Sequence, residues 1–144
     1  LAADQDDLET VARCFASDGS FAVSGQVTGA TRTAVVDFIA TQRRLMGLTV
    51  HTPNALLFSI PAHDTASGTI GAHLEMALNG KAIYGAVRYL DTYVRRDGRW
   101  QIRTRDMRVV FVAPWAEVGD ALLSPVPVRW PGLAPAVTDL PRLA

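Results

Sequence analysis

Hydrophobic residues recur at two different spacings along the chain, and the change between them falls at Gly47. Before Gly47 the spacing is helical, and it predicts a short helix over residues 7–16 and a longer helix over residues 33–46. Between these helices, residues 20–27 predict a bent strand or a short strand pair. After Gly47 apolar and polar residues alternate, which predicts four strands. They cover residues 48–60, 65–78, 82–95 and 99–112.

Capping and turn residues support these boundaries. Asp6 followed by Glu9 is a capping box, which predicts Asp6 as the N-cap of the first helix. Asn79-Gly80 is a strong signal for a tight hairpin between two strands. Helices followed by a long antiparallel meander indicate the α+β fold class, with the helices packed over the concave face of a curved sheet.

The segment that begins at Pro114 has a different composition from the rest. It holds six of the eight prolines and shows little periodicity. Large apolar residues such as Trp115 and Trp130 are costly to leave in water, so we expect the segment to pack along its own subunit or a neighbour. We therefore predict one α+β domain over residues 1–115 and a proline-rich tail over residues 116–144. Leu1 to Asp4 are expected to be the last turn of a truncated N-terminal helix.

The composition excludes several classes of protein. Apolar residues make up 49% and charged residues 19% of the 144 positions, which indicates one folded domain. The formal net charge is zero, so no nucleic-acid partner is expected. No apolar run reaches the roughly 18 residues of a membrane span, and no signal peptide is visible, which predicts a cytoplasmic protein. The single cysteine, Cys14, is expected to be a buried thiol that behaves as a small hydrophobe.

The chain has three histidines, and their spacing is unlike that of a metal site. No metal and no cofactor are therefore expected. His63 lies in a turn between two predicted strands and is expected in solvent. Alternation assigns Leu74 and Met76 to the apolar face of their strand and places His73 on the other face. His73 is therefore expected to meet solvent or a subunit interface.

His51 lies in the middle of a predicted strand and is the sharper candidate for chemistry. A histidine that acts as a base near neutral pH needs a carboxylate to orient it and to stabilise its charge. Asp4 is the candidate, because a carboxylate at the end of a helix turn meets an unfavourable dipole and so suggests a partner elsewhere. From the pattern alone, a hydrogen-bonded core or edge histidine remains the alternative.

Arginines cluster in the last predicted strand. Strict alternation assigns Ile102 to one face of this strand, and Arg103 and Arg105 to the other. An arginine directed into an apolar cavity is costly unless it meets an anion, a carbonyl or a leaving group. The alternative is a sheet-edge ion pair with one of the strand carboxylates, Asp91 or Glu75.

Three segments together resemble SnoaL-like domains, which belong to the cone-shaped superfamily named for nuclear transport factor two. They are LAADQDDLETVARCFASDGSF, HTPNALLFSI and YLDTYVRRDGRWQIRTR. The resemblance covers about residues 1–115 and implies a cone-shaped α+β fold. It also implies a homo-oligomer, a dimer or trimer formed through the outer face of the sheet.

The resemblance is to the scytalone dehydratase, bile-acid dehydratase and hexachlorocyclohexane dehydrochlorinase group, which eliminates water or HCl with an Asp–His dyad. Asp4 and His51 match the dyad positions. Arg105 follows Trp100 by five positions, as an arginine follows the hairpin tryptophan in the dehydrochlorinase. The resemblance therefore implies a metal-free lyase with Asp4, His51 and Arg105 as catalytic residues. The spacing from His51 to Asn54 is one residue shorter than is usual in the family.

An apolar pocket inside the cone would suit a small hydrophobic cyclic substrate. Two other functions stay open: an isomerase of the ketosteroid or polyketide-cyclase type, with Asp91 or Glu75 as its base, and a non-catalytic module that binds small molecules. The expected pocket walls are Phe21, Val23, Phe38, Leu74, Met76, Tyr89 and Val109.

Overall fold

The computed structural model describes residues 1–140. Within them, two short 3₁₀ helices, Ala3–Gln5 and Trp115–Glu117, accompany three α-helices and six strands. The α-helices are α1 (Leu8–Cys14), α2 (Arg32–Arg43) and α3 (Val118–Leu123). The strands are β1 (Phe15–Val23), β2 (Gln26–Gly29), β3 (Met46–Ala62), β4 (Thr65–Leu78), β5 (Lys81–Arg96) and β6 (Arg99–Pro114).

The six strands form one curved, unclosed sheet in the order β2-β1-β6-β5-β4-β3. Neighbouring strands are antiparallel except β1 and β6, which run parallel. The predicted α+β class with an antiparallel meander is therefore confirmed. The alternating pattern predicted β4 with its exact bounds, whereas β3, β5 and β6 each extend one to two residues further at their ends.

Two groups of buried side chains hold the helices and the tail against the sheet. The first lies between β4, β5 and β6 and includes Val128 from the tail. The second lies under α1 and α2, where Val35 is fully buried against Phe15, Phe21 and Ile102. Both helices therefore cover the β1 side of the concave face. None of the three α-helices is long and apolar enough to cross a membrane.

The predicted start of the first helix is wrong by one residue. Asp7 is the N-cap, because its side chain accepts a hydrogen bond from the backbone N–H of Thr10 at 2.9 Å. Asp6 adopts a left-handed conformation with φ of 59° and turns its carboxylate to Arg43 instead. A capping pattern cannot tell which of two adjacent aspartates meets the helix.

The expected burial of Cys14 is also wrong, since its thiol side chain is exposed. The helical stripe predicted a helix up to residue 16, but α1 ends at Cys14 and β1 begins at Phe15. Phe15, the first residue of β1, is buried in the core instead and is 3% exposed. The second helix ends early too, because Met46 already belongs to β3.

Strict alternation fails in β6 because of a β-bulge. Thr104 pairs with Thr92 and Ile102 pairs with Tyr93, so Arg103 is the additional residue between them. Ile102 and Arg105 consequently share the concave face, while Arg103 turns outward and donates to Asp18 at 2.5 Å. The predicted common face for Arg103 and Arg105 is wrong.

The tail returns to β6 of its own chain. Val128 forms isolated bridges with Val112 and with Ala136. The Asp139 carboxylate accepts hydrogen bonds from the Val109 backbone N–H at 2.7 Å and from the Ser24 hydroxyl at 2.6 Å. These contacts hold the tail against β6 and against Ser24, which follows β1. Trp115 is still 61% exposed.

Candidate active site

His51 lies on β3, the edge strand of the sheet, and faces the inside of the cone. Its partner across the ladder is Leu74, which is 1% exposed and belongs to the core. Cross-strand partners point to the same face, so the imidazole and Leu74 both point inward. Alternation along β3 and β4 places His73 on the opposite, convex face.

Asp4 approaches the exposed edge of β3 from the N-terminal 3₁₀ helix, Ala3–Gln5. Its Oδ2 accepts a hydrogen bond from the His51 backbone N–H at 3.1 Å, and its Oδ1 lies 2.5 Å from His51 Nδ1. The backbone N–H of an edge strand has no ladder partner on its open side, so the carboxylate satisfies a donor that would otherwise need water.

These contacts fix the tautomer of the imidazole. An ionised carboxylate only accepts hydrogen bonds, so Nδ1 is the donor to it, and in the neutral imidazole the lone pair then lies on Nε2. In residues 1–140, Nε2 has no hydrogen-bond partner from the protein. The His51 side chain is 28% exposed and that of Asp4 is 10% exposed, so the pair is sheltered but reachable.

Arg105 also faces the inside of the cone, where Asp91 holds it. Its Nε and Nη2 donate to the two carboxylate oxygens of Asp91 at 2.9 and 2.6 Å. The Asp91 side chain is fully buried, and it also accepts from the Tyr93 hydroxyl at 2.6 Å. Burial acts to lower the pKa of Arg105, but the hydrogen bonds and charge of Asp91 outweigh it and raise this pKa.

The Tyr89 ring lies beneath the guanidinium of Arg105, with 4.7 Å between the Arg105 Cζ and the ring centroid. Burial raises the pKa of Tyr89 to about 12 against the opposing charge of Arg105, and the charges of Asp4 and Asp91 add to the rise. The charges of Asp4 and Arg105 therefore both act on the Tyr89 phenol, which is protonated at neutral pH.

The predicted wall residues all face the inside of the cone, but several of them are packed core. Leu74, Met76 and Val109 are 1%, 7% and 2% exposed in the first buried group. Phe21 packs against Phe38, with 5.7 Å between the ring centroids and the rings tilted by 32°. Partly buried members, which retain some access to solvent, are Val23, Phe38 and Tyr89.

The other candidate residues lie away from the dyad. His63 pairs with the adjacent Asp64 in an exposed turn. The His73 ring stacks on Tyr84 on the convex face, and its Nδ1 lies 2.8 Å from the Asn54 amide nitrogen. Arg108 pairs with Asp106. Within residues 1–140, no three histidine, cysteine or acidic side chains are grouped in a way that could hold a metal ion.

An open groove of about 590 Å³ lies on the convex face of the sheet, on the side opposite His51. Most of its lining residues belong to the outward-facing set of β3 to β6, such as Leu57, Thr69, Leu90 and Thr104. Because the sheet separates this groove from the imidazole, the groove is a different feature from the space inside the cone.

Sequence reasoning missed two groups that contact the site. Tyr93, which donates to Asp91, is part of the Arg105 network, and burial together with that hydrogen bond raises the pKa of Tyr93. Arg43, at the end of α2, contacts the segment that carries Asp4. An arginine at the end of an amphipathic helix is ordinary, so the pattern gave no signal for this role.

The chain belongs to the SnoaL-like domain family, because the family model matches residues 1–106. Among curated proteins, none matches the chain in sequence at a significant level. The match includes Asp4, His51 and Arg105 but ends before the tail. Membership of this family therefore accounts for the cone that the six strands and two N-terminal helices form.

Solved structures with the same fold include LinA, which is 21% identical over 80% of each chain with a TM-score of 0.75. A hexachlorocyclohexane dehydrochlorinase of LinA type 3 from Novosphingobium barchaimii is 20% identical over 80% of this chain and 81% of its own, with a TM-score of 0.74. A scytalone dehydratase-like protein from Novosphingobium aromaticivorans is 16% identical over 92% and 85%, with a TM-score of 0.73. Identities this low show the fold alone.

Proposed function

We propose that the protein is a metal-free and cofactor-free lyase that eliminates a small leaving group from a hydrophobic cyclic substrate. The observation that carries this proposal is the double contact of Asp4 with His51, which leaves Nε2 of a partly exposed imidazole without a hydrogen-bond partner among residues 1–140. Solved structures that share this fold include a hexachlorocyclohexane dehydrochlorinase and a scytalone dehydratase-like protein, and the proposed reaction class follows the names of these neighbours.

In the proposed reaction, Nε2 of His51 removes a proton from a substrate carbon. The electron pair of the broken C–H bond forms the new double bond, and the leaving group departs from the neighbouring carbon with its own electron pair. Asp4 stabilises the imidazolium that forms, and the proton then passes to the departing group or to solvent. General base catalysis of this kind contributes about 10²–10⁴-fold.

Arg105 and Tyr89 are proposed to stabilise the negative charge that develops on the leaving group. Asp91 holds the guanidinium in a fixed orientation, and a preorganised donor in a dry site contributes about 10²–10³-fold. The Tyr89 phenol is protonated at neutral pH, as an ordinary phenol is, and burial raises its pKa further, to about 12. A phenol of this kind donates a hydrogen bond and does not act as the base.

The isomerase alternative finds little support. Asp91 has the right strand position for a carboxylate base, but Arg105 and Tyr93 occupy both of its oxygens and its side chain is fully buried. Glu75 is exposed on the convex face, so it is turned away from the cone.

The test uses hexachlorocyclohexane and scytalone as probes, with chloride release and loss of water as the respective readouts. Turnover by the purified chain is expected to fall about 100-fold or more in His51→Ala. His73→Ala is the matched control, because this histidine lies on the convex face. Normal turnover by His51→Ala would show that the assignment is wrong. Retention of a small molecule without any turnover, read by native mass spectrometry, would favour the binding module.

A further inference from the structure

Arg43 joins the three segments that meet at the dyad. Its Nε and Nη2 donate to the two carboxylate oxygens of Asp6 at 2.6 and 3.4 Å. Its Nη1 donates to the Thr49 hydroxyl at 2.6 Å, and its Nη2 reaches the backbone carbonyl of Asp4 at 3.5 Å. One guanidinium at the end of α2 therefore contacts the turn that carries Asp4 and the strand that carries His51.

The turn that carries Asp4 has little structure of its own to hold it in place. It is a single 3₁₀ turn of three residues, and it has no side-chain cap. Such short turns are weakly stable by themselves. Asp6 then leaves the turn in a left-handed conformation, so the chain changes direction directly beside Asp4.

The contacts of Arg43 complement those of the Asp4 carboxylate. The Asp4 carboxylate contacts His51, while Arg43 donates hydrogen bonds to the Asp4 backbone carbonyl and to the Asp6 side chain. Thr49 lies two residues before His51 on the same face of β3, and it is 4% exposed. The hydrogen bond from Arg43 to Thr49 thus ties the turn to the strand next to the imidazole. The side chain of Arg43 is itself only 13% exposed.

We propose that Arg43 is a positioning residue that sets the distance between the Asp4 carboxylate and His51 Nδ1. Asp6 acts as its anionic anchor on the N-terminal turn. The catalytic consequence rests on the proposed function, whereas the placement of Asp4 by Arg43 does not. A displacement of about 1 Å at a catalytic pair can cost up to about 100-fold in rate.

A merely structural arginine would behave differently. A cation in the last turn of a helix interacts favourably with the helix dipole, and its removal costs stability without altering a hydrogen bond elsewhere. Arg13 provides this comparison, because it lies in the last turn of α1 and pairs with the exposed Glu9 at 2.5 Å. Arg43→Met and Arg13→Met are therefore matched variants, and Arg43→Lys tests rescue by a smaller cation.

The readout is the proton on His51 Nδ1, which a short bond to a carboxylate shifts far downfield in the NMR spectrum. The signal is assigned in protein with ¹⁵N-labelled histidine by its loss in His51→Gln. We expect the signal in the unmodified chain and in Arg13→Met, its loss or broadening in Arg43→Met, and partial return in Arg43→Lys. Where a probe is turned over, kcat is expected to fall with a smaller change in KM.

A folded Arg43→Met variant with an unchanged downfield signal would overturn the proposal. If Arg43→Met does not fold, Asp6→Asn replaces it, because this change removes the charged anchor and leaves the arginine in place. An intact signal in Asp6→Asn would then count against the proposal, and its loss would support it. A chain that shows the expected signals but turns over no probe would instead contradict the proposed lyase function while Arg43 keeps its role.

Discussion

The Asp4 carboxylate contacts His51 with both of its oxygens, one on the backbone N–H at 3.1 Å and the other on Nδ1 at 2.5 Å. The first contact fixes the carboxylate on the edge of β3, and the second fixes the imidazole ring. A single carboxylate thus sets both the position and the tautomer of the histidine. The arrangement differs from an ordinary ion pair because it needs two acceptor oxygens in fixed positions as well as a negative charge.

Asp4→Asn is therefore expected to reduce turnover of an accepted probe by about 100-fold or more. The amide replaces one of the two contacting oxygens with an NH2 group, which only donates, so one of the two N–H groups of His51 would face another donor. The imidazole then loses its fixed tautomer and the partner of its developing charge. Steady-state kinetics at constant pH measure the effect, and circular dichroism checks the fold.

Asp7→Asn is the matched control for this change. Asp7 makes the N-cap of α1, and asparagine caps a helix about as well as aspartate. Turnover should therefore stay within about two-fold of the unmodified chain, since neither stability nor the dyad is altered. Equal losses in both variants would indicate a general effect of charge near the N-terminus instead of the proposed contact.

The pair formed by Asp91 and Arg105 predicts a large effect on stability. Asp91→Ala leaves a mostly buried guanidinium and the Tyr93 hydroxyl without their acceptor, which is expected to lower the free energy of unfolding by about 3 kcal/mol. Asp18→Ala is the comparison, because Asp18 pairs with two arginines but its side chain is 46% exposed. Exposed pairs contribute about 1 kcal/mol or less.

Chemical denaturation of both variants measures this difference. A loss in Asp91→Ala no larger than that in Asp18→Ala would show that the cone does not bury the pair as the structure describes. Such a result would also weaken the proposed role of Arg105, because the fixed orientation of its guanidinium depends on Asp91.

Much of the fold was predictable from residue spacing. Alternating residues over 65–78 predicted the bounds of β4, and the Asn79-Gly80 turn predicted the hairpin that joins β4 to β5. The contact between Asp4 and His51 followed from the resemblance and not from periodicity, since the two residues are 47 positions apart. Long-range contacts of this kind depend on tertiary packing, which a local pattern does not contain.

The predictions that failed have local physical causes. A bulge at Arg103 shifts the phase of alternation by one residue, and nothing in the spacing of apolar residues marks it. Adjacent aspartates at positions 6 and 7 offer two equivalent caps, and the choice depends on Arg43, which lies more than thirty residues away. The burial of Cys14 depended on where α1 ends, and helix ends are poorly defined by propensity.

Tyr89 predicts a loss of stability at alkaline pH. Its pKa is raised from 10.0 in the ordinary phenol to about 12 in the folded chain, so the unfolded chain releases this proton first as the pH rises. The folded state then binds more protons than the unfolded state, and stability falls between these two values. For one such group the slope is at most about 1.4 kcal/mol per pH unit.

Tyr89→Phe should reduce this slope, because phenylalanine has no proton to release. Part of the slope should remain, since burial also raises the pKa of Tyr93. Denaturation midpoints measured at neutral pH and at several values above 10 test the prediction. Identical alkaline slopes for Tyr89→Phe and the unmodified chain would mean that the phenol is not buried beneath Arg105.

Gly85 predicts the last effect, because it allows β5 to pack tightly against β6 in the centre of the sheet. A Cβ on Gly85 would lie 2.8 Å from the Phe111 backbone oxygen and 3.2 Å from the Val112 Cα. Backbone atoms in a sheet cannot swing aside as a side chain does, so Gly85→Ala is expected to cost about 1–3 kcal/mol. Thermal unfolding measures the loss.

Gly119→Ala is the matched substitution at a site without this constraint. Apart from its chain neighbours and the backbone of its own helix, no described atom lies within 4 Å of a Cβ built on Gly119. The residue belongs to α3, and alanine stabilises a helix by up to about 1 kcal/mol relative to glycine. The two substitutions should therefore shift the unfolding temperature in opposite directions. A neutral Gly85→Ala would mean that β5 and β6 separate enough to admit a methyl group, and the wall of the cone between Leu74 and Val112 would then be looser than the structure shows.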